Sequence, residues 1–463
     1  MTDYDVIICG AGAGGLTAAS FFGRQGRRVL LIDKLTDTVE TFKGELLQPG
    51  SLSTLDELSA LETLRTSGAR TIHRLVSATS DGTELCAMDY RWLPAPYQHC
   101  LTHTYKGILD NFIATLPLTV DFRRGVSVVR ALRNDDGRIR GVELRDGVDR
   151  ERVWAPLVVA ADGYSSKLRA QLGIETEPIV YEHQVVAIDL VDEPYLATQA
   201  TTIITPDGMR VMYPMPHQGG RLYLQVPRGF VNRIGKDALG TWVDQTIAKC
   251  PALAPLTDSV HRGLPTSRVL SARRFVAPEF YRDGMPLVGD AAHSVHPMAG
   301  QGMNAAIADA AALATFFEHV DLADRRPTDR ALQRYAVKRM SEVRTLSEFS
   351  HRFAMLFTGT LARAGYVKSR YVLGCHGRNQ RLCYKIMHNI SGLGYRPFSV
   401  LDRCQQVGFP DPHARRVPVE SAQARGPAVG HYRTAASPCA TTPDWPLAAC
   451  ERTPALQRVD GQG

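Results

Sequence analysis

The chain has 463 residues, 44% hydrophobic and 22% charged, an ordinary globular composition with room for two or three domains. Its net charge of +7 is mild and its basic residues are scattered (RRV, RVWAP, RRF, ARR), which argues against nucleic acid as a partner. Nine cysteines without a C-x-x-C argue against a disulfide framework and a metal site, and fit reduced thiols in a cytoplasm.

In chain order, residues 4–10 (YDVIICG) form an apolar strand that runs into Gly10-Ala11-Gly12-Ala13-Gly14-Gly15. This run leads into a glycine loop rather than a cleavage site, so it is not a signal peptide, and no stretch approaches the ~18 apolar residues of a membrane span. A helical pattern follows through Leu16, Ala19 and Phe22, then a second strand over 28–32 that ends in Asp33. G-x-G-x-x-G between strand and helix, with an acid about 20 residues on, is the pattern of a dinucleotide site. The segment KGELLQPG at 43–50 precedes a helix over 51–64 with leucines at helical spacing.

Residues 70–105 read as short strands broken by Asp81-Gly82 and by prolines 94 and 96, followed by a helix over 106–116. Alternation over 120–132, a turn at Asp136-Gly137 and a return over 141–144 predict a hairpin. An apolar strand at 157–161 ends in Asp162-Gly163, with Ser166 and Arg169 on the next helix. Residues 179–270 read as antiparallel strands with one face of Met212, Pro214, Leu222 and Leu224 and another of Val211, Tyr213, Met215 and Tyr223. A sheet apolar on both faces must be covered on both. A helix over 237–249 suits one face, and the other is expected to wall an apolar cavity.

A strand over 285–288 then ends in Gly289-Asp290, with a loop holding Pro297, Gly300 and Gly302 before a helix of small residues. A carboxylate at a buried strand end needs hydrogen-bond donors, and a helix start favours negative charge over the loop. Amphipathic helices are expected over 329–357 and 364–389. The tail from residue 411, rich in Pro, Ala, Arg and Thr, is expected to be disordered. The domains then run 1–175 with continuation at 273–325, a β-sheet insertion at 176–272 joined by strands from 70–105, helices at 326–410, and the tail at 411–463. The cationic stretch 364–406, with Tyr371, Leu382, Ile386 and Phe398, is read as packing over the inserted sheet, with a peripheral membrane contact as the alternative.

Three blocks stand together: GAGAGG with Asp33, ADGYSSKLR at 161–169, and GDAAHSVHPMAGQGMNAAIADA at 289–310. They resemble the para-hydroxybenzoate hydroxylase-like (group A) FAD monooxygenases over roughly residues 4–320. KGELLQPG is similar to a segment of squalene epoxidase-like members of that superfamily. The resemblance implies an α/β fold, a Rossmann-like FAD-binding domain interrupted by an antiparallel β-sheet substrate domain, with C-terminal helices. It implies that Gly10, Gly12 and Gly15, with Ala13 and Gly14 between them, hold the pyrophosphate. Asp33 with Lys34 would take the adenosine ribose, and Val128 would sit at the adenine. Asp162 would lie near pyrophosphate and reductant, and Gly289 and Asp290 would bind the ribityl chain. Pro297, Gly300, Gly302, Met303 and Asn304, with Gln48, would lie against the isoalloxazine ring. Lys43 and Lys106 stand where the family usually has arginines, a point charge in place of a bidentate fork.

The implied chemistry is the cofactor's. NAD(P)H reduces FAD, oxygen forms the flavin C4a-hydroperoxide, and one oxygen atom passes to a large apolar aromatic or prenylated substrate by hydroxylation or epoxidation. Phenol hydroxylation benefits from a base and alkene epoxidation does not. Tyr213, Tyr223 and His73, on predicted substrate-domain strands, are candidates for that role, each weighed against a plain structural one. His293 and Asp309 read as structural hydrogen-bonders, and His296 fits either role. Two rival readings are a flavin reductase of isoprenoid double bonds, resembling geranylgeranyl reductases, and a flavin-free binding protein like the GDP dissociation inhibitors.

Overall fold

The computed structural model describes residues 3–42, 44–192, 196, 198–359 and 363–417. Strand Val6–Cys9 is buried along its length and pairs in parallel with Val29–Asp33 on one side and Leu157–Ala160 on the other. Val120–Arg124 extends the sheet beyond Val29–Asp33, and Leu287 bridges in parallel to Ala160 at the far edge. Parallel strands covered on both faces must be apolar throughout, which is why VIIC, VLLI and LVVA read as unbroken apolar runs. Helices Ala13–Arg24 and Gly302–Phe317 cover one face side by side, with Phe22 and Phe317 edge to face at 6.3 Å.

The hairpin expected about Asp136-Gly137 forms, between Ser127–Arg133 and Ile139–Asp146, but its first arm does not extend back to 120. The alternating run is two strands, divided at Gly125, whose φ of +74° turns the chain. Val120–Arg124 joins the parallel sheet, while Ser127–Arg133 belongs to a separate antiparallel sheet with Ile139–Asp146 and Asp149–Trp154. The helix expected over 51–64 is also two, Pro49–Glu57 and Leu61–Thr66, broken where Ser59 takes φ +55°. Leu55, Leu58, Leu61 and Leu64 are buried on both sides of the break, so the leucine spacing hides it.

The second large sheet has eight strands in the order His293–Ser294, Arg268–Val276, Ile179–Leu190, Gly219–Pro227, Gly208–Met215, Gln199–Thr205, Arg74–Ala78 and Glu84–Asp89. Its Met212, Leu222 and Leu224 pack with Val243, Leu253, Leu256 and Val260 beneath helix Leu239–Ala248. On the other face Tyr213 and Met215 meet Phe349, Ile386 and Met387 of the C-terminal helices, with Val211 and Tyr223 beside them.

Those helices are Arg325–Thr358, Arg363–Gly377, Gln380–Ile390 and Val400–Gln406. The helical region expected over 364–389 is two helices, parted at Arg378–Asn379, where the Asn379 side chain caps the Leu382 amide. Leu382 and Ile386 are buried, whereas Tyr371 is 55% exposed. The tail expected to begin at 411 is ordered at its start: Asp411 accepts hydrogen bonds from Asn379 and Arg381. Residues 418–463 lie outside the described residues. Among the described residues, no helix is long and apolar enough to cross a membrane.

Candidate active site

Three strand ends of the parallel sheet carry Asp162, Gly10 and Asp33 in that order, and Asp290 follows the Leu287 bridge at the Asp162 edge. The strand expected over 285–288 is only Met285–Pro286, paired antiparallel with Tyr281–Arg282, and all four positions open on one crevice. Three gaps of about 4.8 Å set Asp33 and Asp290 roughly 14 Å apart, the reach of a ribose–pyrophosphate–ribityl chain. A Cβ on Gly10 would overlap the Ala161 carbonyl, and one on Gly15 would overlap the carbonyl of Gly10. Only glycine lets the loop close on itself this tightly. Asp33 is fixed in turn, accepting from the Ala11 amide at 2.7 Å and the Leu35 amide at 2.8 Å. Lys34 beside it is exposed.

The start of helix Ala13–Arg24 carries no side-chain cap, and neither does that of Gly302–Phe317. First-turn amides of two long helices therefore face the crevice, uncapped by their own N-cap residues, though the Ala13 amide meets the Tyr105 hydroxyl. The arrangement suits phosphate at one and developing negative charge at the other. Half-buried Asp290 makes no hydrogen bond or ion pair among the described residues, so its carboxylate is free for the hydroxyls of a ligand. Tyr105, which sequence reasoning missed, lies between the two acids: burial first, then the charges of Asp290 and Asp33, push its phenol up to about 12. The helix start at Thr104, whose side chain caps Gly107, was the available signal. FAD fits this crevice.

Asp162 faces its own chain, accepting from Ser166 Oγ at 2.5 Å and from the Leu168 amide. Arg169 then reaches the Ala291 carbonyl at 2.8 Å and clamps the second block to the third. Beneath that third block Asp309 accepts from the Gly289 amide, His293 Nε2 and Arg339 Nε at 2.7–2.9 Å. Burial raises the Asp309 carboxyl, but the charges of His293 and Arg339 prevail and hold it below the usual range. The triad is fully enclosed, which leaves His293 and Asp309 in structural roles.

Asn304 joins the flavin loop to KGELLQPG. Its Oδ1 accepts from the Gln48 amide at 2.8 Å, and its Nδ2 donates to the carbonyls of Leu46 and Gly300. The Gln48 side chain accepts from Tyr90 at 2.7 Å, Gly302 has open space above it, and Met303 is buried alongside. Pro297 opens a short turn that ends at Gly300 with φ +60°. One residue earlier, His296 Nδ1 accepts from the Met298 amide and Nε2 meets His183 Nε2 at 3.1 Å. Burial, then the neighbouring His183, His351 and Arg274, take His296 down to about 3.

The sheet meets this loop through a buried charge network. Glu45 accepts from Tyr213 at 2.6 Å, from Tyr223 at 3.0 Å and from Arg221 at 2.6 Å. Arg221 also pairs with Asp189 and stacks 3.9 Å over Phe42. Glu45 and Arg221 went unnoticed in the sequence, although the polar 221, 223, 225 alternation marks one face. Burial, then the Glu45 charge, raise both tyrosine phenols well above the ordinary value, so both are held as neutral hydroxyls at Glu45. His73, expected on a strand, occupies the bend between Arg70–Ile72 and Arg74–Ala78. Lys106 is tied to Thr38 and Asp110 at 2.8 Å, Val128 is on the small antiparallel sheet, and Lys43 lies outside the described residues.

Residues 3–350 match the family model described as FAD binding domain. The chain is 30% identical over 322 residues to 6-methylpretetramide 4-monooxygenase of Streptomyces rimosus, covering 66% of this chain and 73% of that one. It is 26% identical over 349 residues to squalene epoxidase erg1 of Schizosaccharomyces pombe, covering 71% and 72%. Among solved structures, PqsL, a probable FAD-dependent monooxygenase from Pseudomonas aeruginosa, superimposes with TM-score 0.70 at 24% identity over 79% of this chain and 99% of that one. The p-nitrophenol 4-monooxygenase PnpA from Pseudomonas putida gives 0.72 at 20% identity over 86% and 100%. The family implied by the three sequence blocks is thus the family found, and the chain belongs to the FAD-dependent monooxygenases.

Proposed function

We propose that this enzyme uses NAD(P)H and O2 to insert one oxygen atom into a large apolar aromatic or prenylated molecule. The bound flavin, once reduced, supplies the activated oxygen. Asp33 and Asp290 bind the ribose and ribityl hydroxyls, the amides after Gly12 hold the pyrophosphate, and Val128 adjoins the adenine. Gln48 and the loop from Pro297 to Asn304 face the ring system, where the start of helix Gly302–Phe317 favours negative charge. With one dinucleotide fingerprint in the chain, the nicotinamide visits this same crevice.

The observation that carries the reading is that Asn304 stitches the loop after Asp290 to Leu46 and Gln48, while Glu45 of the same segment ties it to the substrate sheet. Substrate wall and flavin loop are thus one structure, joined through side chains that are themselves out of water. Tyr213 and Tyr223 spend their hydroxyls on Glu45, so the substrate needs no protein base at this wall. An acidic polycyclic phenol, ionised on its own, meets that condition for ring hydroxylation, in line with the relative acting on 6-methylpretetramide. Epoxidation of an alkene meets it too, and the similarity of KGELLQPG to squalene epoxidases favours it as the second reading.

Oxygen uptake with NADPH or NADH in the presence of polycyclic phenols and prenylated alkenes tests this. Substrate-stimulated, oxygen-dependent oxidation with a product one oxygen heavier is expected. Oxygen-independent reduction of an isoprenoid double bond would establish the reductase alternative instead.

A further inference from the structure

Outside the crevice a half-open cavity of about 740 Å³ lies between helix Arg325–Thr358 and the three helices that follow it. Its apolar lining is Phe349, Phe353, Leu356, Val372, Ile386 and Phe398. Its polar lining includes four cations, Arg344, Arg352, Lys368 and Arg403, against the single carboxylate of Glu348. That carboxylate is already engaged by Arg352 and Arg274. Arg344 and Lys368 have no ion-pair partner among the described residues, and both are exposed.

His376 is the second, independent observation. It lines the cavity, is 5% exposed, and its Nε2 is buried with no hydrogen-bond partner among the described residues. An orphaned buried nitrogen is unfavourable unless a ligand or water satisfies it. Burial, then the Arg403 charge, lower its pKa to about 4, so it is a neutral imidazole with a donor or a lone pair to offer.

The cavity lies behind the sheet face that carries Tyr213 and Met215. Phe349 and Ile386 share one apolar cluster with Tyr213 and Met215 of the substrate wall, with Leu46 packed against it, and Phe353 and Leu356 pack near Met298 of the flavin loop. We infer that this cavity is an outer subsite for the substrate: it holds the part of an extended aromatic molecule that carries a carboxylate or acidic enol, with the rings against Phe349, Phe353 and Phe398, the anion toward Lys368 and Arg344, and a hydroxyl or carbonyl at His376. The assignment rests on the monooxygenase reading and narrows its substrate class to anionic aromatics. An uncharged terpenoid would leave Arg344, Lys368 and the His376 nitrogen without a partner.

The test uses oxidised, flavin-loaded full-length enzyme without NAD(P)H, so that nothing turns over, and the fluorescent probe 1-hydroxy-2-naphthoate, with 1-naphthol as its uncharged analogue. Naphthoate is expected to bind at least tenfold more tightly than naphthol. Lys368→Glu and Arg344→Glu should each weaken naphthoate about tenfold and leave naphthol and the flavin spectrum unchanged. His376→Phe, which removes the ring nitrogens offered to the hydroxyl that both probes carry, should weaken both probes. Charge reversal at the remote Arg145 and Arg150 should change neither. Equal affinity for the two probes, or naphthoate binding unmoved by Lys368→Glu and Arg344→Glu, would overturn the assignment. Because the readout is binding without turnover, failure here is separable from failure of the oxygen chemistry.

Discussion

At the scale of single residues, the most consequential contacts are those that fix a charge where the chemistry needs none to wander. Glu45 and Arg221 are essentially solvent-free, with side chains 0% and 2% exposed. Removing one partner leaves the other charge buried and uncompensated, which costs about 3–5 kcal/mol. Arg221→Ala should therefore lower the denaturation midpoint sharply, whereas Tyr213→Phe, which removes one hydroxyl donor to the buried carboxylate, should cost about 1.5–3 kcal/mol. A thermal melt of both variants checks the ranking. Asp290→Ala is expected to keep the fold, because the carboxylate supports no protein contact, and to weaken FAD binding at least tenfold in an equilibrium titration. A comparable loss of melting temperature in the apoprotein would mean that Asp290 is structural. Asp162 presents the contrast: its carboxylate caps helix Lys167–Gln171, so Asp162→Ala should destabilise the apoprotein by ~1 kcal/mol.

At the scale of elements, the flavin loop is coupled to the sheet through histidines kept neutral. An imidazole in the unfolded chain titrates near 6.5, whereas His296 in the fold titrates at about 3. The unfolded state therefore takes up a proton that the native state refuses. The His296 contribution is complete above about pH 6.5 and declines as the pH falls toward 3. Between pH 6.5 and 5 the loss is about 2 kcal/mol. His296→Gln, which keeps a hydrogen-bonding group without a titrating one, should flatten that limb of the stability–pH curve measured by urea unfolding; an unchanged limb would place the acid sensitivity elsewhere. Element type was plain in the sequence wherever one period ran unbroken, as in residues 6–9, 157–160 and 302–317. Breaks were hidden where the pattern survived them: leucines stay buried across Ser59, and alternation continues across Gly125 although the two strands serve different sheets. A local pattern reports burial, and cannot report which partner does the burying.

At the scale of the whole molecule, two sheets that share no strand are held in register by side chains from four stretches far apart in sequence. Glu45 reaches Arg221, Asn304 reaches Leu46 and Gln48, and Arg169 reaches Ala291. The glycine loop, Asp33 and Asp290 were legible because backbone geometry at a dinucleotide site restricts residue type. Tyr105, Arg221 and the His183–His296 contact were not, since each acquires its role only from a long-range neighbour. Loosening the stitch should uncouple the halves: Asn304→Ala is expected to leave FAD bound while NAD(P)H oxidation without oxygenated product rises severalfold, read by comparing peroxide release with product formed.

The most direct measurement is the visible absorbance and FAD content of the purified protein, made alongside Asp290→Ala and Gly15→Val. One FAD per chain in the native protein, reduced by NAD(P)H and largely absent from both variants, is the expected result. A colourless protein that takes up no added FAD, or variants that hold FAD as tightly as the native chain, would contradict the convergence of these distant acids and glycines on a single flavin.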